Sequence, residues 1–339
     1  QGARYENGVL RDFGNPEAER LAARDSNILV ALPALALLRV TGADAKNFLN
    51  GQFTNDLNLV DASHSQLDAW CTAQGRMLVL MRILERDGAY LLQLPRELRD
   101  EFVKRLRMYV LRAKVTVEDA DAELVCFGLI GSHAAQLLAE ATSDAPTQDD
   151  QTITRDGVTL LRVAGVRPRF QVIAPPSAAT ALWNKLRARA MPAGFDTWAW
   201  HDILAGIPTI LPATREAFVP QMANLELVGG VNFKKGCYPG QEIVARMQYL
   251  GRLKQRMYRA HAAGETPAAG TAVFAPGSEQ SVGTVVDARP SPDGGSDMSA
   301  VIQIAAVEAG ELHLGNAQGA KLSITVPPYS FDAPQTKAS

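Results

Sequence analysis

The chain has 339 residues, 47% of them hydrophobic and 21% charged, with a formal net charge of -2 and a pI of about 6.3. That length exceeds what one hydrophobic core usually serves, so two or three domains are expected. The near-neutral balance excludes a global field drawing the protein to nucleic acid or membrane, and any polyanion site must be local.

In chain order, the opening QGARYENG has no apolar h-region or small-residue cleavage site, so no secretory signal is expected. The longest apolar run, ILVALPALALL, is broken by Pro33 and closed by Arg39, well short of the roughly 20 residues a spanning helix needs, and no membrane partner is expected. A buried strand is predicted over 34–40, then a short helix started by Asp44 and stopped by Gly51. The loop QFTNDL offers Gln52, Asn55 and Asp56, a group able to hydrogen-bond a heterocycle edge, although Asn-Asp is also ordinary turn chemistry.

Strands follow, with a hairpin at Arg86-Asp87-Gly88, and Pro95 opens an amphipathic helix with Leu98, Phe102, Leu106 and Tyr109 on one face. After a β run closing near Asp119, the strand pair TLLRVAG and RFQVIAP and a helix with Ala181, Leu182, Leu186 and Ala190 inward make a second α+β block. TWAWHDILAGIP is a further helix stopped by Gly206 and Pro208. From about Arg252, the runs QRMYRAHA, TAVFAP, SVGTVVDA, SAVIQIAAV, ELHLG and KLSITV predict a small barrel or sandwich, with a mobile SPDGGSD loop and FDAPQTKAS tail.

Cys71, Cys126 and Cys237 are scattered and odd in number, which predicts no disulfide framework and a reducing, cytoplasmic compartment. The absence of Cys-x-x-Cys and His-Glu-x-x-His, with five dispersed histidines, gives no sign of a bound metal.

The stretch KKGCYPGQE, Lys234 to Glu242, is the strongest candidate site. An isolated cysteine is most often a small buried hydrophobe. Here Lys234, Lys235 and two glycines flank Cys237, and Pro239 suits the first position of a following helix, QEIVARMQYL. Cations and a helix N-terminus both favour a thiolate. Glu242 and Arg246, four apart, can pair on that helix. Lys234, Lys235, Arg246, Arg252, Lys254, Arg256 and Arg259 face Glu242 alone, a strip able to meet a phosphate backbone or to lie on solvent faces with no specific role. Upstream, Gln221, Asn224, Glu226 and Asn232 read singly as structural.

Taken together, FLNGQFTNDL, AQGRML, LAGIP, FVPQMANLELVGGVNFKKGCYPGQEIVARMQYLGRLK and the late β run resemble the YgfZ family of folate-binding proteins, a branch of the superfamily of the glycine-cleavage T-protein. The resemblance implies an α+β fold of two interlocked units followed by a C-terminal β-barrel. Its boundaries would be 26–119 for the first unit, 1–25 and 120–250 for the second, 251–330 for the barrel and 331–339 for a tail.

It also implies tetrahydrofolate binding, polyglutamylated forms included, with no stably bound metal. The implied role is assembly or repair of iron-sulfur clusters in client enzymes, some of which thiolate tRNA; a direct tRNA contact is a weaker expectation. Lys235 and Cys237 fall on the signature's functional lysine and cysteine. Asn55, Asp56, Asn232, Gln241 and Arg246 are the expected folate-site residues. The sequence departs from the folate transferases where an acidic pair is expected, placing Val79 and Leu80 there, and it has Gln171 in place of a glutamate. Aminomethyl transfer of the T-protein kind is therefore disfavoured. A folate-dependent aminomethyltransferase or demethylase, and a non-catalytic tRNA- or client-binding scaffold using Arg252, Lys254 and Arg256, stand as alternatives.

Overall fold

A computed structural model describes residues 2–6 and 9–331. All but the first residue of the tail expected over 331–339 lies outside the described residues. The chain forms two compact units, interleaved along the sequence: one takes Gln1–Asn50, Leu57–Gln66 and Met81–Ala199, the other Gly51–Asp56, Leu67–Leu80 and Trp200–Ser339.

The first unit contains a six-stranded sheet in the order Thr152–Arg155, Val158–Val163, Arg169–Ala174, Val125–Ile130, Ile28–Ala31, Met191–Ala193. Every pairing is antiparallel except the last, which is parallel. Helices Ala134–Thr142 and Pro176–Leu186 bury Leu137, Leu138, Ala179 and Leu186 against Leu29, Phe127, Phe170 and Val172. Each large side chain so enclosed contributes roughly 1.5–3 kcal/mol. Ala181, expected inward, is exposed; the helix begins at Pro176, and its inward stripe runs through Ala179, Leu182, Trp183 and Leu186.

The same unit pairs Ala89–Pro95 with residues 82–86 on one side and Leu35–Thr41 on the other, and Thr116–Asp119 adds to the far edge. Asp87 and Gly88, both at positive φ, make the hairpin turn expected from Asp-Gly. The helix over Arg99–Val110 follows a short turn at Arg96–Leu98 and buries Phe102 and Leu106. Tyr109 departs from the expected stripe and is 44% exposed, because the helix ends within one residue of it.

In the second unit, Met257, Ala260, Val273, Val285, Met298 and Ile302 are buried in a six-stranded antiparallel sheet. Its order is His313–Leu314, Ala272–Phe274, Ser281–Pro290, Ser296–Gln303, Gln255–Ala262, Ser323–Thr325. Leu314 N donates to Ala320 O at 2.9 Å and Leu322 N to Leu312 O at 2.8 Å, so a short hairpin links the two ends and the sheet curves as a half-barrel. The run SAVIQIAAV does not stay extended: the strand stops at Gln303 and Ile304–Ala309 is a helix, favoured by the alanines of IAAVEA.

Candidate functional site around Lys235 and Cys237

The loop over 51–56 and the segment 229–240 are fastened together within the second unit. Thr54 Oγ1 donates to Gly230 O at 2.7 Å, Asn55 Nδ2 to Gly229 O at 2.7 Å, and Asn232 N to Thr54 O at 3.0 Å. Asn55 Nδ2 also donates to Leu67 O at 3.0 Å, while its Oδ1 accepts from Asp56 N at 2.9 Å. Both ends of the Asn55 amide are therefore committed to backbone, and this residue shapes the loop. Asn232 acts similarly, its Oδ1 accepting from Lys234 N at 2.8 Å. The Asn55 N–H donates to Asp68 Oδ1 at 2.7 Å. Asp68 is wholly buried on the strand Gln66–Cys71.

Lys235 enters this buried setting. Its residue is only 8% exposed, its ammonium donates to the Phe53 carbonyl, and Nζ lies 5.1 Å from the centre of the Tyr238 ring. Burial pulls the Lys235 pKa down from 10.5 to about 8, with the carboxylates of Asp68 and Asp56 pulling the other way. Burial pushes the Tyr238 hydroxyl up, helped by Cys71 and Asp68, so that ring stays neutral. Two residues from Lys235 the surroundings reverse: Cys237 is exposed. Cys71 is buried, and its thiol is pushed up by that burial and then by Asp68.

The helix after Cys237 runs Gln241–Tyr249. Pro239 is not its first residue: Gly240, at φ 82, is the N-cap, so the helix starts later than the sequence predicts. The reason is packing, since a Cβ on Gly240 would lie 2.3 Å from Thr72 O and 2.7 Å from Gly75 Cα. Gln241 is half-buried and its N–H donates to Tyr238 O at 3.2 Å. Arg246 is exposed and pairs loosely with Glu242 at 3.6 Å.

The expected basic strip does not survive as one surface. Lys235 is inside, and Arg256 bonds Glu226, whose side chain is 3% exposed, as well as Gln221 O at 3.0 Å. Lys234, Arg252 and Lys254 are the exposed members besides Arg246. Val79 and Leu80 are buried in the strand Met77–Arg86, and that part of the strand is apolar. Among the described residues, no group of three or more His, Cys, Asp or Glu could hold a metal ion, and no helix is long and apolar enough to cross a membrane.

The GCVT N-terminal domain family matches residues 5–201. The tRNA-modifying protein YgfZ of Shigella boydii is 33% identical over 256 residues, 75% of this chain and 78% of the relative. The chain belongs to the YgfZ family. A YgfZ from Colwellia psychrerythraea is also 33% identical, over 70% of this chain and 72% of its own, and one from Klebsiella pneumoniae 34%, over 72% and 74%. The crystal structure of the glycine cleavage system aminomethyltransferase T from Bartonella henselae shares the fold. Its TM-score is 0.80 at 18% identity, covering 96% of this chain and 93% of that one.

Within this YgfZ chain the structure gathers Asn55, Asn232, Lys235 and Gln241 around the loop junction, with Asp56 acting on Lys235 and Arg246 out on the helix. Sequence reasoning missed Asp68, Tyr238 and the Phe53 carbonyl. Asp68 carried a usable signal: an acid inside the otherwise apolar LDAWC.

Proposed function

We propose that this protein binds tetrahydrofolate, polyglutamylated forms included, and supports assembly or repair of iron-sulfur clusters in client enzymes, tRNA-modifying ones among them. Cys237 is its working thiol. The family supports the tRNA connection through the name of its relatives, and the shared aminomethyltransferase fold supports the folate. The observation that carries the reading is the pairing of a buried ammonium at Lys235 with an exposed thiol two residues on.

The residues suit a folate. Gln52 Oε1 is buried without a hydrogen-bond partner in the same loop, and a pterin ring offers N–H donors for such an acceptor. In this reading Gln52 and Asp56 hold the heterocycle, Asn55 and Asn232 keep the loop in shape, and Gln241 completes the wall. Arg246, exposed at the helix, meets the anionic tail. Lys235 supplies a positive charge from within. Bound tetrahydrofolate supplies an acceptor for one-carbon units. Aminomethyl transfer is not favoured, because Val79 and Leu80 are buried apolar residues where the transferase pair would stand. The scaffold reading loses Arg256 to the interior.

The test is Cys237→Ser, with tetrahydrofolate affinity by calorimetry and rescue of an iron-sulfur enzyme defect in cells. Folate affinity is expected to persist and rescue to be lost. Full rescue by the serine variant removes the thiol from the function, and no folate binding by the parent protein removes the folate.

A further inference from the structure

The helix Arg99–Val110 and the turn after it carry chemistry that the folate reading does not use. Residues 102–117 contain Lys104, Arg105, Arg107, Arg112 and Lys114 and no carboxylate. Lys104, Arg112 and Lys114 are exposed, and Arg107 is pinned by donating to Val117 O at 2.5 Å. Between these cations stand exposed apolar side chains: Met108 at 62%, Tyr109 at 44% and Leu111 at 88%. Leu111 sits at φ 47 and ψ -105, a strained conformation for a non-glycine residue, and its side chain is left in solvent.

Alongside runs a groove of about 390 Å³ whose lining includes Arg99, Val103, Lys104 and Arg107 with Asp100 and Asp119. Both acids pair with Arg99, at 2.8 Å each, and with Lys104 and Arg107 the lining holds three cations against two acids, a small positive excess.

We propose that this surface binds the phosphate backbone of a structured RNA. Lys104, Arg112 and Lys114 neutralise phosphates, while Tyr109 and Leu111 pack against the sugar and base faces beside them. An anionic membrane would also attract these cations, but the helix turns its apolar stripe, Phe102 and Leu106, to the core, and its exposed Met108, Tyr109 and Leu111 are confined to its last turn instead of forming a face along its length. A lined groove with a pinned arginine suits a ridge of phosphates better than a plane of headgroups. The inference goes beyond the proposed function, in which tRNA enters only through the client enzymes, and is independent of its folate arm.

The experiment uses the full chain, an unmodified tRNA transcript and filter binding from 50 to 200 mM KCl. The variants are K104E/R112E/K114E and, as a control, R252E/K254E, with tetrahydrofolate affinity measured for each. Three lost phosphate contacts are expected to lower the slope of log affinity against log salt by about 2–3 and to weaken binding at least ~10-fold. The control and all folate affinities stay unchanged. Equal tRNA binding by parent and triple variant overturns this surface. No tRNA binding by the parent overturns it too and leaves the proposed function standing. Loss of binding to phosphatidylglycerol vesicles in the triple variant, with tRNA binding intact, assigns the patch to a membrane and overturns the proposal.

Discussion

At Lys235 burial opposes two carboxylates, and burial wins: the pKa falls from 10.5 to about 8. Below pH 8 the lysine is charged both folded and unfolded, and the penalty of burying that charge is fully present. Between about 8 and 10.5 the unfolded chain holds more protons than the folded one, so this residue's contribution to stability rises with pH. The whole excursion is on the order of 3 kcal/mol. Lys235→Met lacks it, and strands the Phe53 carbonyl at a pH-independent cost of about 1–3 kcal/mol. Urea unfolding at pH 7 and 10.5 should therefore show the parent gaining on the variant as pH rises; a constant gap would mean an ammonium in contact with water.

The cysteines divide by the same physics. Cys237 is exposed, Cys71 is buried, and the Cys126 thiol faces inward between Gln93 Nε2 and Gln171 Oε1, pushed up to about 12 by burial. Iodoacetamide on the native protein, read by mass spectrometry, is expected to modify Cys237 and to reach Cys71 and Cys126 only after unfolding.

At the level of elements, the start of Gln241–Tyr249 shows why a local signal can mislead. Pro at a first helical position is a sound rule, but Gly240 packs against Thr72 and Gly75, and the left-handed turn it makes there moves the boundary. Gly240→Ala is expected to cost more than about 2 kcal/mol and to disturb the site. Gly236→Ala, with nothing within 4 Å of the added Cβ, should stay within about 0.5 kcal/mol. Denaturant melts of both variants check the contrast, and equal effects would contradict the tight approach at Gly240.

Signals that act over a few residues were readable: the Asp87-Gly88 turn and the Gly206 helix stop. What escaped depends on partners distant in sequence. Asp68 is a lone acid until the chain brings Asn55 and Lys235 to it, and Arg256 passes for a surface cation until Glu226 is known.

At the level of the molecule, the second unit is assembled from three separated stretches, and buried polar ties hold its long third stretch together. Asn224, fully buried, donates to Met257 O at 2.7 Å and to Tyr329 Oη at 3.2 Å, while Arg256 joins Glu226, Gln221 and Asn224. Removing one partner of a buried pair is worse than removing both, because the survivor keeps its desolvation cost. Arg256→Met should therefore destabilise by about 3–5 kcal/mol, against less than about 0.5 kcal/mol for exposed Lys254→Met, both measured by urea denaturation.

The bond from Thr54 Oγ1 to Gly230 O spans 176 positions of chain. A ribosome adding about 5–20 residues per second leaves roughly 10–35 s between the emergence of these two partners. During that interval the loop over 51–56 and the strand carrying Asp68 await their counterpart. A translation product released before Gly229 would thus carry Thr54 and Asn55 without the two carbonyls they bond. The loop over 51–56 therefore takes its final hydrogen bonds only after synthesis has passed Gly230.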